Sequence, residues 1–526
     1  MKLGVIDAET DPFRYGRKPE AFAWGFFDGK TYVNFWGKDA TSELITYLGS
    51  LNEPHVLYAH NGGKFDFFYL LPWLENPLRI INGRIVEASL GAHKLRDSYA
   101  ILPIQLKEYQ KDEIDYANFE ASKREQYKND ILHYLAKDCE YLFALVAAFR
   151  DRFGAKLTIG STALTKLREY HPFPSQDANH DALFRPFYFG GRCEYFERGI
   201  LRDDWSIFDV NSMYPTVMRN FQHPKGKFYA HVKNPKIQSS GMLRGFGSEI
   251  YFAQIEATSA GALPMRTKNG LSFPHGTQIF NACSHEIVAA CELGWLKIHS
   301  IGAVYVPHQH QSFVEFVDTY STEKIAAKKS GDKAKEIFSK LLLNSAYGKT
   351  ASNPLNYSDF HIGGVGEKMG PPWKLHGITD DVWLWSKPID EEDHSYVDVA
   401  IGASITSGSR ATLLRGIAGA KRPIYCDTDS IICRDISSVK IDSSELGAWK
   451  LEGRGDMAAI AAKKLYAVFD GKECVKRASK GVRLDPKDIV RAARGEIVAW
   501  QNDRPSFSLS GSVNFIARTI DTSKTK

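Results

Sequence analysis

Tyr425-Cys-Asp-Thr-Asp-Ser-Ile-Ile432 is the stretch on which the reading of this chain turns. Asp427 and Asp429 stand two apart between apolar, β-prone neighbours. In a strand or tight hairpin, positions i and i+2 point to one side, so two carboxylates are aimed at one spot. Such a pair holds divalent metal, although an acidic hairpin turn is also an ordinary surface feature. The rest of the chain decides between these readings.

Working outward, Ser206-Ile-Phe-Asp-Val210 reads as a strand that ends at Asp209 and runs into Asn211-Ser-Met-Tyr-Pro215. Between the two acidic stretches lies Lys340-Leu-Leu-Leu-Asn-Ser-Ala-Tyr-Gly348. On a helix, Lys340, Asn344 and Tyr347 share one stripe. A lysine there can hold a triphosphate and a tyrosine can stack on a base, whereas a plain polar helix face is the bland account. Together, Asp209 and Asp427, with Asp429 as a third acid, would bind two divalent metals. In an in-line displacement one metal activates a 3′-hydroxyl and the other stabilises the leaving pyrophosphate. Positioning and electrostatics then carry most of the catalysis. Lys340 would neutralise phosphate as a point charge. Magnesium is the expected ion, two per site, with manganese as the alternative.

Composition bounds the rest. The chain has 526 residues, 43% hydrophobic and 25% charged, with net charge +5. That is the profile of a globular protein of about three or four domains. No apolar run reaches the roughly 20 residues that span a membrane, so no membrane partner is expected. Seven scattered cysteines without a CxxC pair point to reduced thiols and a cytoplasmic protein. From Lys450 to Lys526, sixteen Lys/Arg face nine Asp/Glu, a balance that suits a phosphate backbone or a solvated surface.

Leu3–Ile6, Ala21–Phe27, Thr31–Phe35 and His55–Tyr58 read as strands and Arg124–Arg150 as a long helix. His171-Pro-Phe-Pro174 marks a linker. A second block carries a helix over Glu323–Tyr347 and an inserted loop or small subdomain from Leu355 to His394. The fold expected is α/β and α+β, in two parts, 1–160 and 161–526.

The runs DVNSMYP, KLLLNSAYG and YCDTDS, in this order, resemble motifs A, B and C of family B DNA polymerases, closest to the protein-primed branch of small phages and linear plasmids. The resemblance extends from Asp7 to about Tyr466. It implies a right-hand polymerase with palm about 180–320 and 395–450, fingers about 321–352, an inserted subdomain about 355–395 and thumb about 451–526. It shifts weight to Asp209 and Asp427 as bridging ligands, adds Val210 to the metal-binding set, and leaves Asp429 as a supporting or primer-end residue. Tyr214 would pack under the incoming sugar, with Lys340, Asn344 and Tyr347 also at the nucleotide. Tyr188-Phe-Gly-Gly191 is similar to the YxGG template motif, which assigns Tyr188, Gly190 and Gly191 to DNA. Lys464 and Tyr466 match the KxY motif at the primer end. Thr406 and Arg410 stand where the family carries a Thr…Arg template-binding motif, here with serine replacing a small residue.

The N-terminal part resembles the proofreading exonuclease of these polymerases, an RNase H-like domain. Asp7-Ala-Glu9 puts two acids on one side of a strand. Asp66 closes Asn61-Gly-Gly-Lys-Phe-Asp66, and Tyr134 and Asp138 share a helix face. By the match, Asp7, Glu9, Asp66 and Asp138 bind two metals, Tyr134 orients the attacking water, and Lys107 is the catalytic lysine. His60, Asn61, Phe65 and Ser98 would hold the single-stranded 3′ end; stacking on Phe65 tolerates any base. Asn61 and Phe65 lie one residue further apart than in the phage form. Insertions follow motifs A and B, where the family contacts a terminal protein and displaces strand. The reading is therefore a monomeric DNA-dependent DNA polymerase with 3′–5′ exonuclease. It acts on template, primer and dNTPs and replicates a phage or linear-plasmid genome, with a terminal protein as primer. The alternatives are an ordinary nucleic-acid primer or none, an exonuclease with a decayed polymerase half, and a non-catalytic DNA-binding protein.

Overall fold

The apolar run Leu3–Ile6, buried from Gly4 to Ile6, makes Lys2–Thr10 a strand with both faces covered, and it founds the N-terminal sheet. In the computed structural model, which describes residues 1–245, 250–268, 270–379, 381–437, 439–510 and 512–522, Lys2–Thr10 pairs antiparallel with Ala21–Phe27 and parallel with His55–Ala59. Tyr32–Trp36 closes that edge. The other side continues through His93–Asp97, Arg84–Leu90 and Glu75–Ile81. The helix Lys128–Phe153 buries Ile131, Leu135, Leu142, Leu145, Val146 and Phe149. Gly25 lets this helix approach the sheet, since a Cβ there would lie 2.9 Å from Cys139 Sγ.

The segment expected as an inserted loop or subdomain is three strands, Ser358–Gly364, Lys374–Ile378 and Val382–Pro388, and they extend this same N-terminal sheet to ten strands. Phe360 pairs with Leu78. The Asn76 side chain donates to Ile362 O at 2.8 Å and accepts from Ile362 N at 3.0 Å.

A second, seven-stranded antiparallel sheet runs Glu473–Ser479, Leu465–Asp470, Trp449–Ala462, Gly199–Val210, Ser430–Cys433, Tyr425–Asp427, Cys193–Tyr195. A four-stranded sheet, His223–His231, Leu296–Gln311, Phe252–Ala260 and His275–Cys283, fills the interval after the first acidic strand. The helix expected over Glu323–Tyr347 is two, Val314–Ser330 and Lys333–Thr350. They part at Gly331, whose φ is +76°, and Asp332 caps the second by accepting from Lys335 N. Near the C-terminal end Ser506–Phe507 pairs with Val513–Asn514 in a short hairpin; Gly511 between them lies outside the described residues.

One apolar core joins the two parts. Phe149 and Phe153 of the long N-terminal helix meet Phe338 edge-on, with ring centroids 5.3 and 5.9 Å apart. The helix Ile159–Tyr170, which straddles residue 160, buries Ala163, Leu164 and Leu167 in the same core as Leu342 and Leu343.

Candidate active sites

The first site is set in the seven-stranded sheet. Asp209 ends its strand opposite Ser430 on one side and Lys450 on the other. Asp427 and Ser430 close a two-residue turn in which Thr428 has φ +58°. The two acids of this turn part company. Lys464 Nζ donates to both oxygens of Asp427, at 2.6 and 2.7 Å. Burial alone would lower the Lys464 pKa, but the hydrogen bond and charge of Asp427 outweigh it and raise the pKa. Asp429 instead lines a cavity of about 510 Å³ together with Asp209, Val210, Tyr214, Lys324, Lys340, Asn344, Tyr347 and Lys450. Burial, then the charges of Asp209 and Asp427, push the Asp429 carboxyl up to about 6. Burial and then Glu452 raise that of Asp209. Asp427, expected to rank with Asp209 ahead of Asp429, is thus held by the ammonium of Lys464, while Asp429 faces the cavity with Asp209.

Sequence patterns did not single out Lys324, Lys450 or Glu452. Lys450 Nζ lies 3.4 Å from Asp209 Oδ1 and 2.8 Å from Glu452 Oε1. Burial and then Lys340 lower the Lys324 pKa; two lysines from facing helices in one cavity make a place for an anion. Tyr214 and Tyr347 stack on each other at 3.9 Å and 17°.

Several residues expected at DNA are buried and bonded within the protein. Thr406 is buried and donates to Gly402 O. Arg410 is buried, its guanidinium bonded to Glu286 and to the carbonyls of Phe189 and Gly190. Tyr466 is buried against Tyr425, ring centroids 4.5 Å apart. Tyr188, Gly190 and Gly191 lie in the loop before Cys193–Tyr195, and Gly190 is exposed.

The second site lies at the end of the N-terminal sheet. Oxygens of Asp7, Glu9 and Asp138 come within 4.8 Å of one another. Asp66 is not in that cluster; its Oδ1 accepts from Ala8 N at 3.1 Å. Burial first and the neighbouring carboxylates second push the Asp7 carboxyl well up and that of Glu9 to about 8. Asp66 is raised to about 7, again by burial first. The lysine beside them is Lys111, which the sequence reading missed: its Nζ donates to Asp138 Oδ2 at 2.9 Å. Lys107, expected in that role, lines the same 420 Å³ cavity but the ion pair to Asp138 belongs to Lys111. The Tyr134 hydroxyl meets that of Tyr116 at 3.0 Å.

Asp138 Oδ1 is buried without a hydrogen-bond partner among the described residues. An oxygen-only donor set with one unsatisfied buried oxygen and an excess of carboxylates fits a hard divalent cation. Around the cavity, His60 is bonded at both nitrogens, Nδ1 to Ser98 Oγ at 3.0 Å and Nε2 to Ile104 O at 2.9 Å. Burial lowers its pKa to about 4. Ser98 is fully buried, so it orients His60 and offers no surface to DNA. Asn61 sits in the left-handed region, φ +66°. Phe65 is half-buried, its ring edge-on to Phe13 at 5.6 Å and to Phe507 at 5.4 Å. All seven cysteines are free thiols. Among the described residues no helix is long and apolar enough to cross a membrane.

This geometry has relatives. A profile of the family described as DNA polymerase type B, organellar and viral, matches residues 105–368. The DNA-directed DNA polymerase of Enterobacteria phage PRD1 is 43% identical over 99% of this chain and 98% of its own. The DNA polymerase of Bacillus phage phi29 is 24% identical over 85% of this chain and 83% of its own. The fold is that of phi29 DNA polymerase solved with primer-template DNA and incoming nucleotide substrates. The TM-score is 0.73 and the identity 18%, over 99% of this chain and 100% of that one.

Proposed function

This chain belongs to the organellar and viral type B DNA polymerases and is a DNA-directed DNA polymerase of the phage type; on that premise we propose that its two carboxylate centres divide the work. The Asp209–Asp429 cavity extends a primer, and the Asp7–Glu9–Asp138 cluster removes nucleotides from a 3′ end. The observation that carries this reading is that each centre has its own cavity, carboxylates and lysines, on two different sheets.

At the synthetic centre Asp209, Asp429 and the Val210 main chain would hold two Mg²⁺ ions, with Mn²⁺ as the alternative. Such ions, when bound, activate the attacking 3′-hydroxyl and neutralise charge on the pyrophosphate. Lys340 and Lys324 receive the triphosphate of a dNTP. Asn344 lies one helical turn from Lys340, on the same face. Tyr214 packs beneath the sugar, and Tyr347 stacks on the base. Lys464, anchored on Asp427, meets the primer end, and Tyr466 holds that strand in place from within. The loop 188–191 touches the template. Thr406 and Arg410 act on DNA only through the elements they hold.

At the degradative centre Asp7, Glu9 and Asp138, with Asp66 behind them, would hold the ions. Tyr134 orients the attacking water, and Lys111 offsets part of the burial that raises the Asp138 carboxyl and adds positive charge near the scissile phosphate. Lys107 at the rim, His60, Asn61 and Phe65 guide the single-stranded end. Residues 1–160 form the exonuclease part, its sheet extended by the three strands within 358–388, and the rest of 161–526 forms the polymerase part. A terminal protein supplies the priming hydroxyl, a reading that rests on the resemblance of motifs A, B and C to the protein-primed branch.

Asp138→Asn tests the division. It should cut degradation of a single-stranded oligonucleotide by about a thousandfold, the several kcal/mol a metal site contributes. Primer extension should stay at the parental rate. Retained degradation would overturn the assignment.

A further inference from the structure

Arg410 lies on the helix Val399–Gly419, and its side chain and that of Glu286 are each 1% exposed. Nε and Nη2 donate to the two Glu286 oxygens at 2.8 and 3.0 Å. Nη1 donates to the carbonyls of Phe189 and Gly190 at 2.7 and 2.9 Å. A planar fork that grips a carboxylate on one edge and two consecutive carbonyls on another is a geometry lysine cannot supply.

A buried ion pair is weak evidence for stability. Apolar residues of like volume hold a core as well as a buried ion pair does. Glu286 stands in the first turn of the helix Ser284–Glu292, far along the chain from the loop it acts on. That loop is held on its other sides too. Arg266 Nη2 donates to Tyr188 O at 2.7 Å, and Thr428 N, in the catalytic turn, donates to Arg192 O at 2.6 Å. A Cβ on Gly191 would lie 3.0 Å from Thr428 and 3.2 Å from the Tyr214 hydroxyl. The loop thus sits between the Arg410 fork and the acidic turn, with no slack toward either.

We propose that Glu286 is a positioning residue for template binding: it fixes the Arg410 guanidinium, which holds loop 188–191 against the catalytic turn at the height where it meets DNA. This rests on the reading of that loop as a template contact. Loss of the carboxylate frees the fork to rotate, the loop lifts, and primer–template binding weakens while the nucleotide cavity is untouched.

The test uses the full chain, a primer–template oligonucleotide duplex and dNTPs, with four variants: Tyr188→Ala, Glu286→Gln, Arg410→Lys, and the apolar pair Glu286→Leu with Arg410→Met. Glu286→Gln should raise KM for primer–template about tenfold, as a misplaced positioning element does, with KM for dNTP and single-strand degradation within roughly twofold of the parent. Arg410→Lys should fail to restore the KM, and the apolar pair should recover the melting temperature but not the KM. If Glu286→Gln does not fold, the apolar pair alone decides. A parental KM in the apolar pair, or a KM raised by Tyr188→Ala but not by Glu286→Gln, overturns the positioning role. A KM unmoved by Tyr188→Ala overturns the template reading of the loop and the inference with it.

Discussion

Glu9 and Asp66 carry a pH dependence that can be worked out in sign. Both carboxyls are raised in the folded chain, to about 8 and about 7, by burial first and by other carboxylates. Between their ordinary values and these, the folded state binds more protons than the unfolded one, so stability falls as pH rises. The metal-free chain should therefore melt at a lower temperature at pH 8 than at pH 5, and Glu9→Gln should flatten the slope; calorimetry across that range checks it. A divalent ion should flatten it too, because it binds the ionised folded state. An unchanged slope in Glu9→Gln would detach the effect from this centre. The acids themselves were legible, since Asp7 with Glu9 and Asp427 with Asp429 follow the strand period of two. What a period cannot say is which acid of a turn meets a lysine. Lys464 lies 37 residues from Asp427, and only the sheet brings it there, so the period of two could not tell the acid bonded to a lysine from the acid that lines the cavity. Lys111 was illegible for the same reason: it sits in an irregular segment with no periodicity to flag it, four residues from the lysine that was chosen.

Helix pairing supplies the nucleotide cavity with its second cation. Lys324 and Lys340 lie on the antiparallel helices Val314–Ser330 and Lys333–Thr350 and line one cavity. Lys324→Met should raise KM for dNTP about tenfold, the loss of one charge-assisted contact to phosphate, with primer–template binding unchanged. Steady-state extension at varied dNTP measures it, and an unchanged KM would remove Lys324 from the site. Motif B was legible as a helical stripe, yet the helix before it was read as one piece. The break was spelled in Gly331-Asp332, a left-handed helix stop followed by an N-cap, but the lysine-rich run on both sides masks it. The three strands after Leu355 were legible only as irregular chain, because their partner, Glu75–Ile81, is some 280 residues away.

At the scale of the whole molecule, one continuous core runs from Val5 and Phe22 through Phe149 and Phe338 to Val217 and Trp449. The two parts should unfold together, giving a single calorimetric transition; two resolved transitions would show that the shared core does not couple them. A fused body with two chemical centres also makes their independence the claim most worth testing. The direct measurement is the activity of Asp429→Asn in both directions, on a primed single-stranded template with magnesium and all four dNTPs and on a single-stranded oligonucleotide. Extension should fall about a thousandfold while degradation stays within roughly twofold of the parent. Parental extension, or equal loss of both activities, would contradict the account.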